Sequence, residues 1–153
     1  MQQLEQIIGD HPFIKGMDKG FLKIMAGCGQ NVTFEPGDYI FREGGAADYF
    51  YLLRHGRVSL EIDVPDHEAI LVQTLSDGEI IGASWIVPPY RWSWDARAMS
   101  TTRAVALDAV CLRGKCDADH DFGYELMKRF TPAVGRRLHG ARLQLIDMYS
   151  AQR

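Results

Sequence analysis

The 153-residue chain has the length of one domain, and a chain of this length buries about two-thirds of its unfolded surface. Hydrophobic residues make up 46% and charged residues 24%, a composition that argues against disorder of the whole chain. The formal net charge of −3 argues against an extended nucleic-acid interface, because such an interface needs a clustered basic face. A small anionic ligand is compatible with this charge, since one arginine and a few backbone N–H groups can hold it.

Targeting signals and cysteines define the expected compartment. The N-terminal residues contain no apolar run long enough for a signal peptide, and no stretch approaches the roughly 20 apolar residues of a membrane span. The three cysteines, Cys28, Cys111 and Cys116, are an odd number without the spacing of a disulfide framework. We therefore expect a cytoplasmic protein with reduced cysteines and no membrane contact.

The chain begins with two short segments of helical periodicity. Leu4, Ile7 and Ile8 fit one face of a first helix. A second helix is predicted around residues 21–25, where four of five residues are apolar, and Asp18 is suitably placed as its N-cap.

From Val32 the pattern changes to short runs of aromatic and β-branched residues. The predicted strands are 32–34, 39–41, 49–53, 58–62, 69–75 and 103–107. Turn sequences separate the first four of them, at 35–38, 43–45 and 55–56. Short strands joined by tight turns predict an antiparallel roll or barrel, since parallel strands need longer crossovers.

The helical period returns after Asp108. Phe122, Leu126 and Phe130 are four residues apart and form one apolar stripe. Thr131 and Pro132 have the character of an N-cap and a first helical residue. We therefore expect a new helix that begins there and runs from about residue 132 to residue 149.

This last helix carries apolar residues at alternating spacings of four and three, which form a heptad seam: Val134, Leu138, Ala141, Leu145 and Met148. The seam predicts a homodimer through the C-terminal helix. Packing of the same stripe on the roll of its own chain is the alternative.

A series of glycine and apolar residues gives the sequence its most specific pattern. The runs are Phe34-x-x-Gly37-Asp38-x-Ile40-Phe41-x-Glu43-Gly44, Asp48-Tyr49-Phe50-Tyr51-Leu52-Leu53-x-x-Gly56-x-Val58-x-Leu60, Leu75-x-x-Gly78-Glu79-x-Ile81-Gly82 and Arg97-Ala98. In these runs the sequence resembles the cyclic nucleotide-binding domain family, and above all the sensor domains of Crp/Fnr transcription regulators. The resemblance covers roughly residues 10 to 150. Tight turns in a roll favour glycine, because glycine adopts positive φ at little cost.

The resemblance implies an α+β, mainly β fold. We expect an antiparallel β-roll (a double-stranded β-helix, jelly-roll-like) flanked by N-terminal helices and a long C-terminal helix. Residues 1–153 would form one domain, with N-terminal helices in 1–30, the roll in 31–110, a phosphate turn in 78–98 and C-terminal helices in 111–153. In Crp/Fnr regulators a helix-turn-helix domain follows the long helix. Because this sequence ends at Arg153, we expect a standalone module that does not bind DNA.

In the family, the phosphate turn begins Gly-Glu and carries Arg-Ser or Arg-Thr shortly before a strand that ends Arg-Ala. The glutamate accepts the ribose 2′-OH, and the arginine pairs with the cyclic phosphate. Counting back from Arg97-Ala98 places Ser93 at the Ser/Thr position, Trp92 at the arginine position and Ala83 at the glutamate position. A charge-assisted hydrogen bond contributes roughly 1.5–3 kcal/mol, so both losses together would weaken binding by a few powers of ten.

The resemblance nevertheless implies a set of ligand-binding residues: Gly82, Ala83, Ser84, Arg91, Trp92, Ser93 and Arg137. Arg91 lies one residue before the expected arginine, and a shifted turn would direct it inward; otherwise it is a solvated turn residue. Arg137 matches an arginine that lies near the ligand in related proteins, whereas Ala141 replaces a threonine that contacts the base. A solvated helix face is the alternative explanation for the arginines of this helix.

Four aromatic residues crowd the phosphate turn: Trp85, Tyr90, Trp92 and Trp94. They fit packing in a core or interface, or alternatively a platform for a purine ring. In a third interpretation, Trp85, Tyr90 and Trp92 form an exposed patch that binds a partner protein.

Other chemistry finds little support in the sequence. Cys111, Cys116 and His120 do not have a usual zinc spacing and lack a fourth ligand. Ile86 stands where a G-x-S-x-G nucleophile turn needs glycine, so Ser84 is not a predicted nucleophile. We expect no catalytic residues, no metal and no required cofactor. The leading hypothesis is a sensor module for a small anionic ligand such as cyclic AMP or cyclic GMP, and the alternative is a protein-interaction module that has lost the nucleotide.

Overall fold

The computed structural model describes residues 2–151. Its helices are α1 (Gln2–Asp10), α2 (Lys19–Gly27), α3 (Ala109–Ala118) and α4 (His120–Ala151), and a 3-10 turn spans Ser84–Ile86. Its strands are β1 (Gly29–Phe34), β2 (Tyr39–Phe41), β3 (Tyr49–His55), β4 (Val58–Ile62), β5 (Ile70–Leu75), β6 (Ile80–Ile81), β7 (Asp95–Ala98) and β8 (Thr102–Asp108).

The strands form two antiparallel sheets, with strand orders β1-β8-β3-β6 and β2-β7-β4-β5. This arrangement confirms the predicted roll with N-terminal helices and a long C-terminal helix. Six strands were predicted close to their observed positions, whereas the pattern of residue types missed β6 and β7. These two strands have only two and four residues, and a run this short gives almost no alternation to detect.

Side chains from both sheets and from the helices meet in a connected hydrophobic core within residues 2–151. Phe50 and Leu52 of β3 and Leu60 of β4 have no exposed surface. Burial of such side chains contributes about 1.5–3 kcal/mol each and drives the two sheets together. Gly56 permits the sharp turn between β3 and β4: its φ is +127°, and a Cβ there would lie 2.8 Å from Cα of Thr102.

The two helices that follow turns are capped as their sequences suggest. Asp18 precedes α2 and accepts a hydrogen bond from the N–H of Gly20 at 3.3 Å, which confirms the predicted N-cap. Asp108 precedes α3, and its Oδ1 accepts a hydrogen bond from the N–H of Cys111 at 3.0 Å.

Cys28 and Cys111 form a disulfide, which corrects the expectation of reduced cysteines. They are 83 residues apart in sequence, but their Cα atoms lie 5.8 Å apart. The pairing of β1 with β8 brings them together, because Cys28 comes just before β1 and Cys111 comes just after β8. The N–H of Asp108 donates to the carbonyl of Cys28 at 2.8 Å and closes the same junction. Such a contact depends on strand register and leaves no trace in cysteine spacing.

Helix α4 is continuous through Thr131 and Pro132, so the prediction of a new helix at this position is wrong. The apolar stripe that begins at Phe122 continues without a break to the buried Ala133. Packing of this stripe therefore outweighs the loss of one backbone donor at Pro132. The hydroxyl of Thr131 donates to the carbonyl of Met127 at 2.8 Å instead of capping a new helix.

The second half of α4 extends beyond the roll. Leu138 is 72% exposed and Leu145 is 66% exposed, so the expectation that this stripe packs on its own chain is wrong for the outer part of the seam. Between residues 2 and 151, the structure contains no helix with the length and apolar character needed to cross a membrane.

Candidate ligand site between the roll and the last helix

A cavity of about 270 Å³ lies between the turn after β6 and helix α4. Its walls contain every predicted ligand residue except Arg91, namely Gly82, Ala83, Ser84, Trp92, Ser93 and Arg137. Four further residues line it: Trp94, Val134, Leu138 and Ala141. The turn supplies the two serine hydroxyls and the two indole rings, and α4 supplies Arg137 and the aliphatic wall. Residues more than 40 positions apart in sequence thus meet in one place.

Trp92 is the residue that the resemblance aligns with the phosphate-binding arginine of the family. Its ring stacks on Phe41 with 3.7 Å between centroids and 6° between planes, and only 6% of the residue is exposed. Gly82 makes this close approach feasible, because a Cβ at Gly82 would lie 2.6 Å from the Trp92 ring. Gly82 also has φ of +95°, which L side chains rarely adopt. The indole therefore shapes the inner wall of the cavity.

Arg91 lies outside the cavity, so the predicted inward shift is wrong. Its backbone pairs with Ala46, and the flanking N–H of Trp92 donates to the carbonyl of Gly45 at 3.0 Å. Successive side chains of an extended segment point to opposite faces, so the inward position of Trp92 directs Arg91 outward. The exposed guanidinium reaches the carbonyl of Gly44 at 3.4 Å.

Arg137 is the charged group of the cavity. It is 9% exposed, and its Nη2 donates to the carbonyl of Ile80 at 2.7 Å. Its Nε has no hydrogen-bond partner within residues 2–151, and none of the ion pairs of that segment includes its guanidinium. Burial lowers the pKa of Arg137, an effect that nearby Glu79 opposes. The alternative of a solvated arginine is therefore wrong for Arg137.

The other end of the turn is anchored to the helices. Trp85 is fully buried, stacks on Phe50 at 4.7 Å and meets the edge of Phe130 at 5.3 Å. Arg113 of α3 donates to the carbonyl of Trp85 and lies 4.0 Å from the centre of the Tyr90 ring.

This packing overturns the expected exposed patch of Trp85, Tyr90 and Trp92. Trp85 and Trp92 are buried, and Tyr90 is half-buried beneath Arg113. Sequence reasoning also missed Arg113, because its partner Trp85 is 28 residues away and nothing in the pattern around either residue connects them.

The described part of the chain contains no cluster of side chains suited to bind a metal ion. Within residues 2–151, no group of three or more His, Cys, Asp or Glu residues is arranged to hold an ion. Cys116 remains a free, half-buried thiol, and burial raises its pKa.

A sequence model of the cyclic nucleotide-binding domain matches residues 31–119, more than half of the chain. The chain belongs to this family. This confirms the resemblance found in the glycine and apolar pattern. A CRP-like cAMP-activated global transcriptional regulator of Mycobacterium tuberculosis is 23% identical over 145 residues. The match covers 95% of this chain but 63% of the regulator, so this cyclic nucleotide-binding-type domain spans less than two-thirds of that relative.

Solved structures show the same fold. A cyclic nucleotide-binding protein from Geobacter metallireducens is similar with a TM-score of 0.77 and 28% identity, over 90% of this chain and 97% of that one. A cyclic nucleotide-binding domain from Methylobacillus flagellatus also has a TM-score of 0.77, with 16% identity over 96% of this chain and 83% of that one. The regulatory domain of Toxoplasma gondii PKA, solved with cAMP, has a TM-score of 0.64 and 18% identity over 73% of this chain and 43% of that one.

Proposed function

We propose that the chain is a non-catalytic regulatory module, a single domain over residues 1–153, that binds a small anionic ligand in the cavity between the roll and α4. Cyclic AMP and cyclic GMP are the leading candidates. The proposal rests on the burial of Arg137. This cation lies on the cavity wall and has no ion-pair partner among residues 2–151. A buried charge is costly unless it is paired, and an anion in the cavity would provide that pair.

The walls of the cavity favour a ligand that also carries a ring. Trp92, Trp94 and Leu138 offer flat or aliphatic surface, and Ser84 and Ser93 belong to the same lining. Aromatic side chains stack on any heterocyclic base, because every base has a π-face. The ligand would thus place its anionic group towards Arg137 and its ring against the apolar wall.

Affinity for a cyclic nucleotide should be lower than that of a family member with the full turn. Ala83 replaces the glutamate that holds the ribose, and Trp92 replaces the arginine that holds the phosphate. Loss of both hydrogen-bonding groups corresponds to a few powers of ten in affinity. Arg137 would restore part of this loss, so dissociation constants in the micromolar to millimolar range, on the order of 10⁻⁵ to 10⁻³ M, are expected.

A bound ligand would act on the helices through two contacts. It would touch α4 at Arg137 directly, and it would touch the turn whose other end Arg113 holds against α3. A ligand shifts a conformational equilibrium only by the difference in its affinity for the two states. Ligand contact with both the turn and α4 provides such a difference, because a change in their separation changes the contact.

The same proposal includes a homodimer through α4. The exposed face of the helix carries Val134, Leu138, Leu145 and Met148 at heptad spacing. Burial of these side chains against a second copy contributes about 1.5–3 kcal/mol each, enough to offset much of the cost of association. Sedimentation equilibrium at micromolar concentration should give a dimer, and Leu138→Asp with Leu145→Asp should give a monomer. A wild-type monomer would contradict this part of the proposal.

Calorimetric titration with cyclic AMP and cyclic GMP tests ligand binding, with an Ala141→Leu variant to block the site. Ala141 is half-buried on the cavity wall, so a larger side chain there would fill part of the space and reduce affinity at least about tenfold. Ser150→Leu, an exposed position on the same helix, is the matched control and should bind as the wild type does. No heat with either nucleotide at millimolar concentration would overturn the nucleotide proposal.

A protein-interaction module is the second candidate, and the burial of Trp92 in place of an arginine favours it. The interacting surface would then be the exposed face of α4, since Trp85 and Trp92 are not accessible. Absence of nucleotide binding together with a wild-type dimer that survives the two aspartate substitutions would favour this candidate over the first.

A further inference from the structure

A second cavity lies on the other side of Arg137. It has a volume of about 170 Å³ and lies between the segment after α1, the start of β6 and helix α4. Phe13 forms its apolar wall, and Gln73, Glu79, Arg136 and Arg137 form its polar wall. Arg137 therefore separates two cavities and belongs to both.

Two buried polar atoms of this wall lack a partner among residues 2–151: Nε of Arg137 and Oε1 of Gln73. Buried polar groups in folded proteins are nearly always hydrogen-bonded, so each exception calls for an explanation. One atom is a donor and the other an acceptor. The amide of Gln73 lies against α4, since a Cβ at Gly140 would be 3.4 Å from the amide group, an ordinary contact distance. The pair is thus held in place by the packing of β5 against α4.

The charges around the cavity favour an anion. Arg136 and Arg137 contribute two positive charges, and Glu79 contributes one negative charge. The Oε2 atom of Glu79 accepts a hydrogen bond from the N–H of Ser76 at 2.7 Å, so that carboxylate oxygen is engaged within its own turn. The cavity is therefore positive overall, and of its two arginines Arg136 is exposed and Arg137 is buried.

We propose that this second cavity binds a small oxyanion that also carries a proton donor, with hydrogen phosphate as the simplest example. The anionic oxygens would accept from Nε of Arg137 and from Arg136, and the protonated oxygen would donate to Oε1 of Gln73. This site lies outside the cavity proposed for the nucleotide and goes beyond that function. Because the two cavities share Arg137, an anion in one changes the affinity of the other, and the effect is reciprocal.

The test observes the Nε–H group of Arg137 directly. In the ¹⁵N-labelled chain, the signal of this group is assigned with the Arg137→Lys variant and followed during titration with inorganic phosphate at constant ionic strength. A saturable shift is expected, with a dissociation constant on the order of 10⁻³ M. Arg136→Ala should weaken the response about tenfold, because it removes a charged donor. Arg142→Ala removes the same charge from an exposed position on the same helix and should leave the response unchanged.

Comparison with sulfate tests whether the site requires an oxyanion that carries a proton donor. At neutral pH sulfate has no proton to donate to Gln73, so it should bind about tenfold more weakly than phosphate. Gln73→Leu should remove this difference. A shift that does not saturate, an equal response of Arg136→Ala and wild type, or equal affinity for sulfate and phosphate would overturn the proposal. Phosphate binding without cyclic nucleotide binding would refute the proposed function alone, and the reverse result would refute only the second site.

Discussion

The two ends of the turn between β6 and β7 each contain a buried tryptophan, but the two residues have different structural roles. Trp85 packs against Phe50 and Phe130 and belongs to the core that joins the roll to α4. Trp92 stacks on Phe41 and forms a wall of the candidate ligand cavity. Residues of the first kind preserve the fold, and residues of the second kind define what the cavity accepts.

The largest effect is expected from Trp85→Ala. Removal of a fully buried indole should lower the free energy of unfolding by about 3–5 kcal/mol, as measured by urea denaturation. Trp85→Phe keeps the aromatic stack and removes an indole N–H that has no partner among residues 2–151, so it should lower stability much less. Equal losses for the two variants would mean that the Trp85 end is not held by ring packing.

Gly82→Ala tests the Trp92 end. The new Cβ would meet the Trp92 ring at 2.6 Å, and the backbone would be strained at φ of +95°. Gly44→Ala is the matched control, because Gly44 has φ of +84° but nothing within 4 Å of a Cβ. In the control, backbone strain alone should lower the free energy of unfolding by about 1–2 kcal/mol. In Gly82→Ala, overpacking should lower it by about 1–3 kcal/mol more. Similar stabilities of the two variants would contradict the close contact of Gly82 with Trp92.

A smaller effect is expected from His11, which touches neither end of the turn. Its Nε2 lies 2.8 Å from the carbonyl of Leu53, and its Nδ1 accepts from the N–H of Phe13 at 3.1 Å, so the ring is neutral. Burial lowers the pKa of His11 below its ordinary value of 6.5. Below pH 6.5 the unfolded chain therefore binds more protons than the folded chain, and stability falls by about 1.4 kcal/mol for each unit of pKa difference.

Unfolding measured between about pH 5 and 8 should thus show a loss of stability on the acid side in the wild type. His11→Gln removes the titrating group and should flatten this part of the profile. His139→Gln, at an exposed position of α4, is the control and should retain the wild-type profile. A wild-type slope in the His11→Gln variant would assign the acid sensitivity to another group.

The fold was predictable because its strongest signals are local. Glycines at tight turns, the aromatic strands and the capping residue Asp18 each depend on neighbours within a few positions. The departure of Ala83 and Trp92 from the family turn was equally visible in the sequence. Membership of Arg137 in the site followed from the resemblance, and its burial was not predictable.

Features that depend on pairing between distant segments were not predictable. The direction of Arg91 is set by its pairing with Ala46, and the disulfide between Cys28 and Cys111 is set by the register of β1 and β8. Thr131 and Pro132 locally favour a helix start, but the continuous apolar stripe of α4 overrides this preference.

In the proposed function, Arg137 of α4 holds the anion, and Arg91 of the turn does not. Calorimetric titration of cyclic AMP into wild type, Arg137→Met and Arg91→Met separates the two arginines. Arg137→Met should weaken binding at least about tenfold, because it removes the charged donor from the cavity. Arg91→Met should bind as the wild type does. Undiminished affinity in Arg137→Met, or a loss of affinity confined to Arg91→Met, would show that Arg137 does not hold the anion.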